Sequence, residues 1–220
     1  MKKLPLHNTF VSYHHRNDQY YKDEFVRFGE SHGIFRDWSV DTGDISEELD
    51  SQTIRRIIRD DYLRSSTVTV LLAGRETKYR KHVDWELKSS MIDGPKNKRS
   101  GILVINLPTV NCPYFTAAHE GEKALLYPHE KNWIGGLTRA EYERRYPHLP
   151  ERIIDNLLAP RVKISVVNWD TVMQDPIKLE YLIRVTAEDR HYCEYDLSRP
   201  MRRNNHTPGV RATIAAPIRY

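Results

Sequence analysis

Two short stretches of this chain are apolar almost without interruption. Residues 67–73 read Thr-Val-Thr-Val-Leu-Leu-Ala and stop at Gly74; residues 101–106 read Gly-Ile-Leu-Val-Ile-Asn and follow a turn signal at Gly94 and Pro95. Runs this long, rich in β-branched residues and bounded by turn residues, suit strands covered on both faces, not the in-out alternation of a half-exposed strand. Such strands belong to parallel sheets, where each connection is a crossover that lays a helix on the sheet. The stretch between them supplies one. Within 77–91, at about 100° per residue, Val83, Leu87 and Met91 form one apolar stripe.

The rest of the chain repeats the rhythm. Residues 8–13 read as a first strand, with Asn17 or Asp18 available to cap the helix whose inner face is Tyr21, Phe25, Phe28 and His32 and whose stop is Gly33. Residues 34–40 form a weaker strand candidate, followed by a polar loop over 41–44. Ser51 can cap a helix carrying Ile54, Ile57, Ile58 and Tyr62 on one face. After 106 the pattern breaks: about 108–160 is an insertion with prolines, aromatics, a capping box at Thr138 and Glu141, and a second helix candidate after Pro150. Residues 161–167 resume the sheet, and Asp175 followed by Pro176 opens a last helix that turns Leu179, Leu182, Ile183 and Thr186 inward. The expectation is an α/β fold, a doubly wound parallel sheet of about five strands with helices on both faces and an insertion before the last strand. Residues 1–198 make one domain.

Charge narrows the partners. The formal net charge is +4, from 34 lysines and arginines against 30 acids. Five of the arginines lie beyond Asp196 and no acid does, so the body is within one charge of neutral and the excess sits in a basic tail, 199–220. This argues against nucleic acid as the main partner of the body; the tail reads as a loosely ordered arm or, in the sharper reading, as a nucleic-acid or subunit contact. No window approaches the roughly 18 apolar residues of a membrane span, and residues 1–8 lack the apolar core of a secretory signal. The two cysteines, Cys112 and Cys193, fit no disulfide framework or thiolate metal site, which favours the cytoplasm.

Several chemistries find no support. Residues 72–78 lack the second glycine of a P-loop, there is no Gly-x-Gly-x-x-Gly, and Ser12 has no nucleophile elbow around it. His14 and His15 point apart on an extended segment, so no metal site is expected. Asp37 or Asp41 at a strand end suggests a phosphoacceptor, but its partner lysine after the fifth strand is not evident. In an open parallel sheet, ligands bind beyond the carboxyl ends of the strands, near the point where strand order reverses. Those ends are 12–15, 41–43 and 74–77, and Glu86 lies on the helix that leaves the third. Glu86 sits about 100° from the centre of the apolar stripe, a boundary position from which a carboxylate reaches a cleft without being sealed in the core.

Residues 10–18, Phe-Val-Ser-Tyr-His-His-Arg-Asn-Asp, together with 80–86, Arg-Lys-His-Val-Asp-Trp-Glu, resemble the TIR-like proteins of the Thoeris antiphage defence system. The resemblance covers roughly 9–106. It implies a flavodoxin-like TIR fold and an enzyme that cleaves the nicotinamide–ribose bond of NAD⁺, making an ADP-ribose signal, commonly a cyclic isomer, that activates a separate effector protein. It also implies self-association. NAD⁺ enters as substrate, with no cofactor. Carried over by motif, Glu86 is the catalytic glutamate; Phe10, Ser12 and Tyr13 line the nucleotide cleft; Asp41 belongs to the loop after the second strand that gates substrate; and His82 and Trp85 flank the glutamate. The Trp-x-x-x-Glu pattern of bacterial TIR hydrolases is altered here, with His82 four positions before Glu86 and the tryptophan directly beside it.

One carboxylate can suffice for this reaction. Nicotinamide is a cationic substituent and leaves neutral, so no general acid is required, in contrast to ordinary glycosidases. What remains is stabilisation of an oxocarbenium-like ribose by a preorganised negative charge, for which the glutamate should be ionised at neutral pH. Two other readings compete: a non-catalytic TIR scaffold that works by assembly, and a nucleoside ribosyltransferase-like module on the same fold.

Overall fold

The computed structural model describes residues 6–39, 65–94 and 98–205, with residues 53, 56, 60 and 63. Strand β1 (His7–Ser12) leads to α1 (His15–Ser31), β2 (Phe35–Asp37) and β3 (Val68–Ala73). A 3₁₀ turn (Thr77–Tyr79) precedes α2 (Lys81–Met91) and β4 (Gly101–Asn106). Then come α3 (Glu122–Leu126), α4 (Arg139–Arg145), α5 (Glu151–Leu158), β5 (Ser165–Asn168), α6 (Trp169–Met173) and α7 (Pro176–Asp189). The expected helix carrying Ile54 to Tyr62, the loop 41–44 with Asp41, Pro95 of the turn, and residues 206–220 of the tail lie outside the described residues.

The strands form one all-parallel sheet in the order β2-β1-β3-β4-β5, the flavodoxin-like arrangement. Strands β3 and β4 are its centre, and every residue of both is buried. Strand alternation sends Val70, Leu72, Leu103 and Ile105 to one face, where Phe25 of α1 and Leu179, Leu182 and Ile183 of α7 meet them. Leu71, Ala73, Ile102 and Val104 go to the other, under Val83, Leu87 and Met91 of α2 and Ile153 and Ile154 of α5. The stripe read from the sequence is therefore the sheet-facing side of α2. Helix α1 begins earlier than expected and is capped by His14, whose Nδ1 accepts from the Asn17 N–H at 3.1 Å, not by Asn17 or Asp18. It ends where expected, at Gly33, whose φ of 64° only glycine adopts without strain. The capping box at Thr138 and Glu141 and the Asp175 cap are both present. Within the stretch read as an insertion, α5 acts as a sheet-covering helix of the β4–β5 crossover.

The start of the tail is an ordered strap. Residues 196–205 run across the outer side of α2, held mainly through main-chain groups of Asp196, Leu197, Arg199, Pro200 and Arg202. Asn156 of α5 pairs with both main-chain groups of Asp196 (2.8 and 3.2 Å), and Lys88 Nζ donates to the carbonyls of Leu197 (3.3 Å) and Arg199 (2.9 Å). Arg152 of α5, 1% exposed, donates to the carbonyls of Arg199 and Pro200 and makes a two-armed pair with Asp84 of α2 at 2.9 and 3.1 Å. The Arg202 N–H reaches the same Asp84 carboxylate at 2.8 Å, and Asn205 Oδ1 accepts from the Lys81 N–H at 2.9 Å. One buried guanidinium thus ties α5, α2 and the strap together. Removing one partner of such a pair leaves an uncompensated buried charge. Arg152→Ala should therefore cost about 3–5 kcal/mol in urea unfolding; a loss below about 1 kcal/mol would show that the pair does not hold the strap and helices together.

Candidate active site

Three sequence positions meet on the α2 side of the sheet. Phe10 and Ser12 alternate with Val11 along β1, and since Val11 belongs to the core under α1 and α7, they face α2. Ser12 Oγ donates to Glu86 Oε2 at 2.6 Å. Phe10 is 1% exposed and Glu86 2%. Glu86 is thus deeper than its helical position implied: it is sealed, not at a boundary. Its side of α2 meets the end of β1, while the side the sequence reads as polar is covered by α5 and the strap. Burial pushes the Glu86 carboxyl up to about 8 from 4.5, against the Ser12 hydrogen bond, which favours the ionised form. In this conformation the carboxyl is protonated at neutral pH, contrary to the expectation of an ionised group.

The other expected residues lie elsewhere. Tyr13 packs in the core on the opposite face of the sheet, donates to Gln19 Oε1 at 2.6 Å and stacks on His15 with ring centres 4.4 Å apart. Trp85 is buried toward the strap, with its Nε1–H on the Arg202 carbonyl at 2.8 Å and the Lys81 ammonium 5.4 Å from its ring centre. His82, half-buried, meets Trp85 edge to face. One turn of helix thus presents Glu86 to the sheet and Trp85 to the strap.

Strand order reverses between β1 and β3, and the crevice beyond their carboxyl ends holds polar groups to which the sequence assigns no role at a site. Asp18 of α1 is buried against Gly74, where a Cβ would come within 2.3 Å of its Oδ2, so the strand end must be glycine for this approach. The Thr77 hydroxyl donates to Asp18 at 3.3 Å. Burial pushes the Asp18 carboxyl up to about 6; the Thr77 hydrogen bond opposes this and the Glu76 charge adds to it. His14 Nε2 lies 3.7 Å from Glu76, too far for a hydrogen bond, and burial, reinforced by the Arg80 charge, lowers its pKa. The sequence places His14 and residues 74–77 of this cluster at strand ends and offers Asp18 as a helix cap. Among the described residues no group of three or more His, Cys, Asp or Glu is gathered to hold a metal, and no helix is long and apolar enough to cross a membrane. A cavity of about 550 Å³ opens on the far side of α2; Val83 and Asp84 line it and Glu86 does not.

The raised carboxyl has a thermodynamic sign. With Glu86 protonated in the folded state and ordinary when unfolded, its contribution to stability is fully present below about pH 4.5 and lost as pH rises to about 8, on the order of 1.4 kcal/mol per pH unit. Glutamine at this position has the same shape and does not titrate. The difference in unfolding free energy between wild type and Glu86→Gln should fall by about 2–3 kcal/mol between about pH 5.5 and about pH 7.5 in urea melts; a pH-independent difference would mean that Glu86 is not held protonated.

Comparison with known proteins bears on the same segment. Residues 10–112 match the family model described as Thoeris protein ThsB, TIR-like domain. No curated protein matches the chain. The matched stretch runs from within β1 to just beyond β4 and contains Phe10, Ser12 and Glu86. Residues 10–112 of this chain thus form a domain similar to the TIR-like domain of the Thoeris protein ThsB.

Proposed function

We propose that this protein cleaves the nicotinamide–ribose bond of NAD⁺ and makes an ADP-ribose-derived signal, a cyclic isomer in the commonest case, that activates a separate effector. The observation that carries the reading is the Ser12–Glu86 pair at the carboxyl end of β1, on the strand where the sheet order reverses. Pocket shape plays no part in it.

The chemistry requires two states of Glu86. In the resting conformation it is sealed and protonated, unable to meet a ribose or to stabilise a cation. If the contact between β1 and α2 opens at this point, water and substrate reach the carboxyl, burial no longer raises its pKa, and it ionises. The carboxylate then faces the C1′ carbon as the C–N bond breaks, its electron pair passing to nicotinamide, which departs neutral. Water attacking C1′ gives ADP-ribose and releases a proton; a nucleophile within the same molecule gives a cyclic product. Ser12, within hydrogen-bond reach of Glu86, orients the carboxylate. Phe10 supplies an apolar wall. Self-association of TIR domains, or an infection trigger, is the event that would favour the open state.

The sealed glutamate also favours one other reading, a scaffold that signals by assembly without catalysis. Incubation with NAD⁺, alone and with lysate from infected cells, separates the two. The enzyme reading predicts nicotinamide release by the wild type and a loss of about a thousandfold or more in Glu86→Ala, with product mass distinguishing hydrolysis from cyclisation. Defence that persists in Glu86→Ala, with a wild type that never releases nicotinamide, would establish the scaffold.

A further inference from the structure

The cavity beyond α2 is walled by the 3₁₀ turn and the first turn of α2, by α4 and α5, and by the strap. Its volume of about 550 Å³ lies within the range of small-molecule sites. Its charges are unevenly satisfied. Three acids line it, and each is already neutralised: Asp84 by Arg152 at 2.9 Å, Glu151 by Arg199, and Glu143 by Arg139 at 3.3 Å. Five cations line it: Lys78, Arg80, Arg152, Arg199 and Arg202. Arg152 and Arg199 are taken up by those acids, and Arg80 pairs with Glu76 outside the lining. Among the described residues no carboxylate pairs with Arg202 or with Lys78, whose ammonium donates to the Pro147 carbonyl on the same wall.

Two further features point to an anion. Helix α2, eleven residues long, begins on this wall, so the positive end of its dipole adds to the cationic field. Arg80, at the N-cap, has its Nε–H buried with no hydrogen-bond partner, one of several such atoms among the described residues and the one among the cavity-lining cations. Tyr79 on the same wall, with the Lys78 ammonium 5.0 Å from its ring centre, offers an apolar face beside the cations.

We propose that this cavity is a binding site for a small phosphate-bearing anion, up to a nucleoside diphosphate in size, recognised by Lys78, Arg80 and Arg202. The site is distinct from Glu86, which lies on the other side of α2, and it stands whether or not Glu86 is catalytic. Because Arg202 belongs to the strap and Arg80 to the start of α2, a bound anion bridges the two and holds the strap down.

The test is isothermal titration of the full chain with inorganic pyrophosphate and, separately, with ADP. The expected result is saturable one-to-one binding of at least one probe that weakens as salt is raised. The Kd should rise at least tenfold in Lys78→Glu/Arg202→Glu, stay near wild type in Lys78→Arg/Arg202→Lys, and not change in Glu86→Gln. Both changed residues are partly exposed, so circular dichroism and the melting temperature should show the glutamate variant folded. Binding of pyrophosphate as tight as that of ADP assigns the site to free phosphates, and tighter binding of ADP assigns it to nucleotides. Saturable binding by neither probe, or equal affinity in the folded Lys78→Glu/Arg202→Glu variant, would overturn the proposal.

Discussion

Helix α2 is buried on nearly every side: nine of its eleven residues are buried, five of them neither aliphatic nor aromatic. Buried polar groups cost free energy unless they are paired, so each one on this helix identifies what lies against it. Glu86 meets Ser12 on β1, and Ser90 meets Thr69 on β3 at 2.8 Å. Asp84 meets Arg152 on α5 and the Arg202 N–H of the strap, and the Lys81 N–H meets Asn205. Ser89 Oγ, without a partner, is the exception. The sheet on one side and the strap on the other are therefore required together, since exposing either side would strand groups made for it.

That requirement bears directly on the proposed chemistry. A carboxyl that must stabilise positive charge works best ionised and preorganised, yet burial keeps this one neutral. The two demands are reconciled if the protein is held inactive by the same desolvation that later gives the carboxylate its strength. In a site that admits ribose but little bulk water, an ionised Glu86 would interact with a developing cation far more strongly than an exposed glutamate could. Opening thus acts on two properties at once, access and charge.

Much of this frame could be read from the residues alone. Strands β3 and β4 were legible to within a residue because runs such as Val-Thr-Val-Leu-Leu-Ala leave no alternative to burial on both faces. The Thr138 box and the Asp175 cap were legible because capping chemistry is local. The depth of Glu86 was not: a helical wheel shows which side is greasy, and the opposite side of α2 is covered by a strap that binds through carbonyls and N–H groups, which leave no side-chain pattern. Arg152 carried no signal for the same reason, since a cation beside Ile153 and Ile154 looks like a surface residue until its acid is seen across two helices. Tyr13 is instructive in the other direction. Motif matching placed it with Phe10 and Ser12 in one cleft, whereas strand alternation, available from the sequence, sends it to the opposite face.

On the proposed chemistry, Glu86 rests sealed and protonated, poised to ionise on opening. The direct test is the carboxyl ¹³C resonance of Glu86, assigned by its disappearance in Glu86→Gln and followed through a pH titration of the resting protein. The expected midpoint is near 8, raised by burial and held back by the Ser12 hydrogen bond. A midpoint near the ordinary 4.5 would mean that the carboxylate is ionised and accessible at rest, and would contradict that resting state.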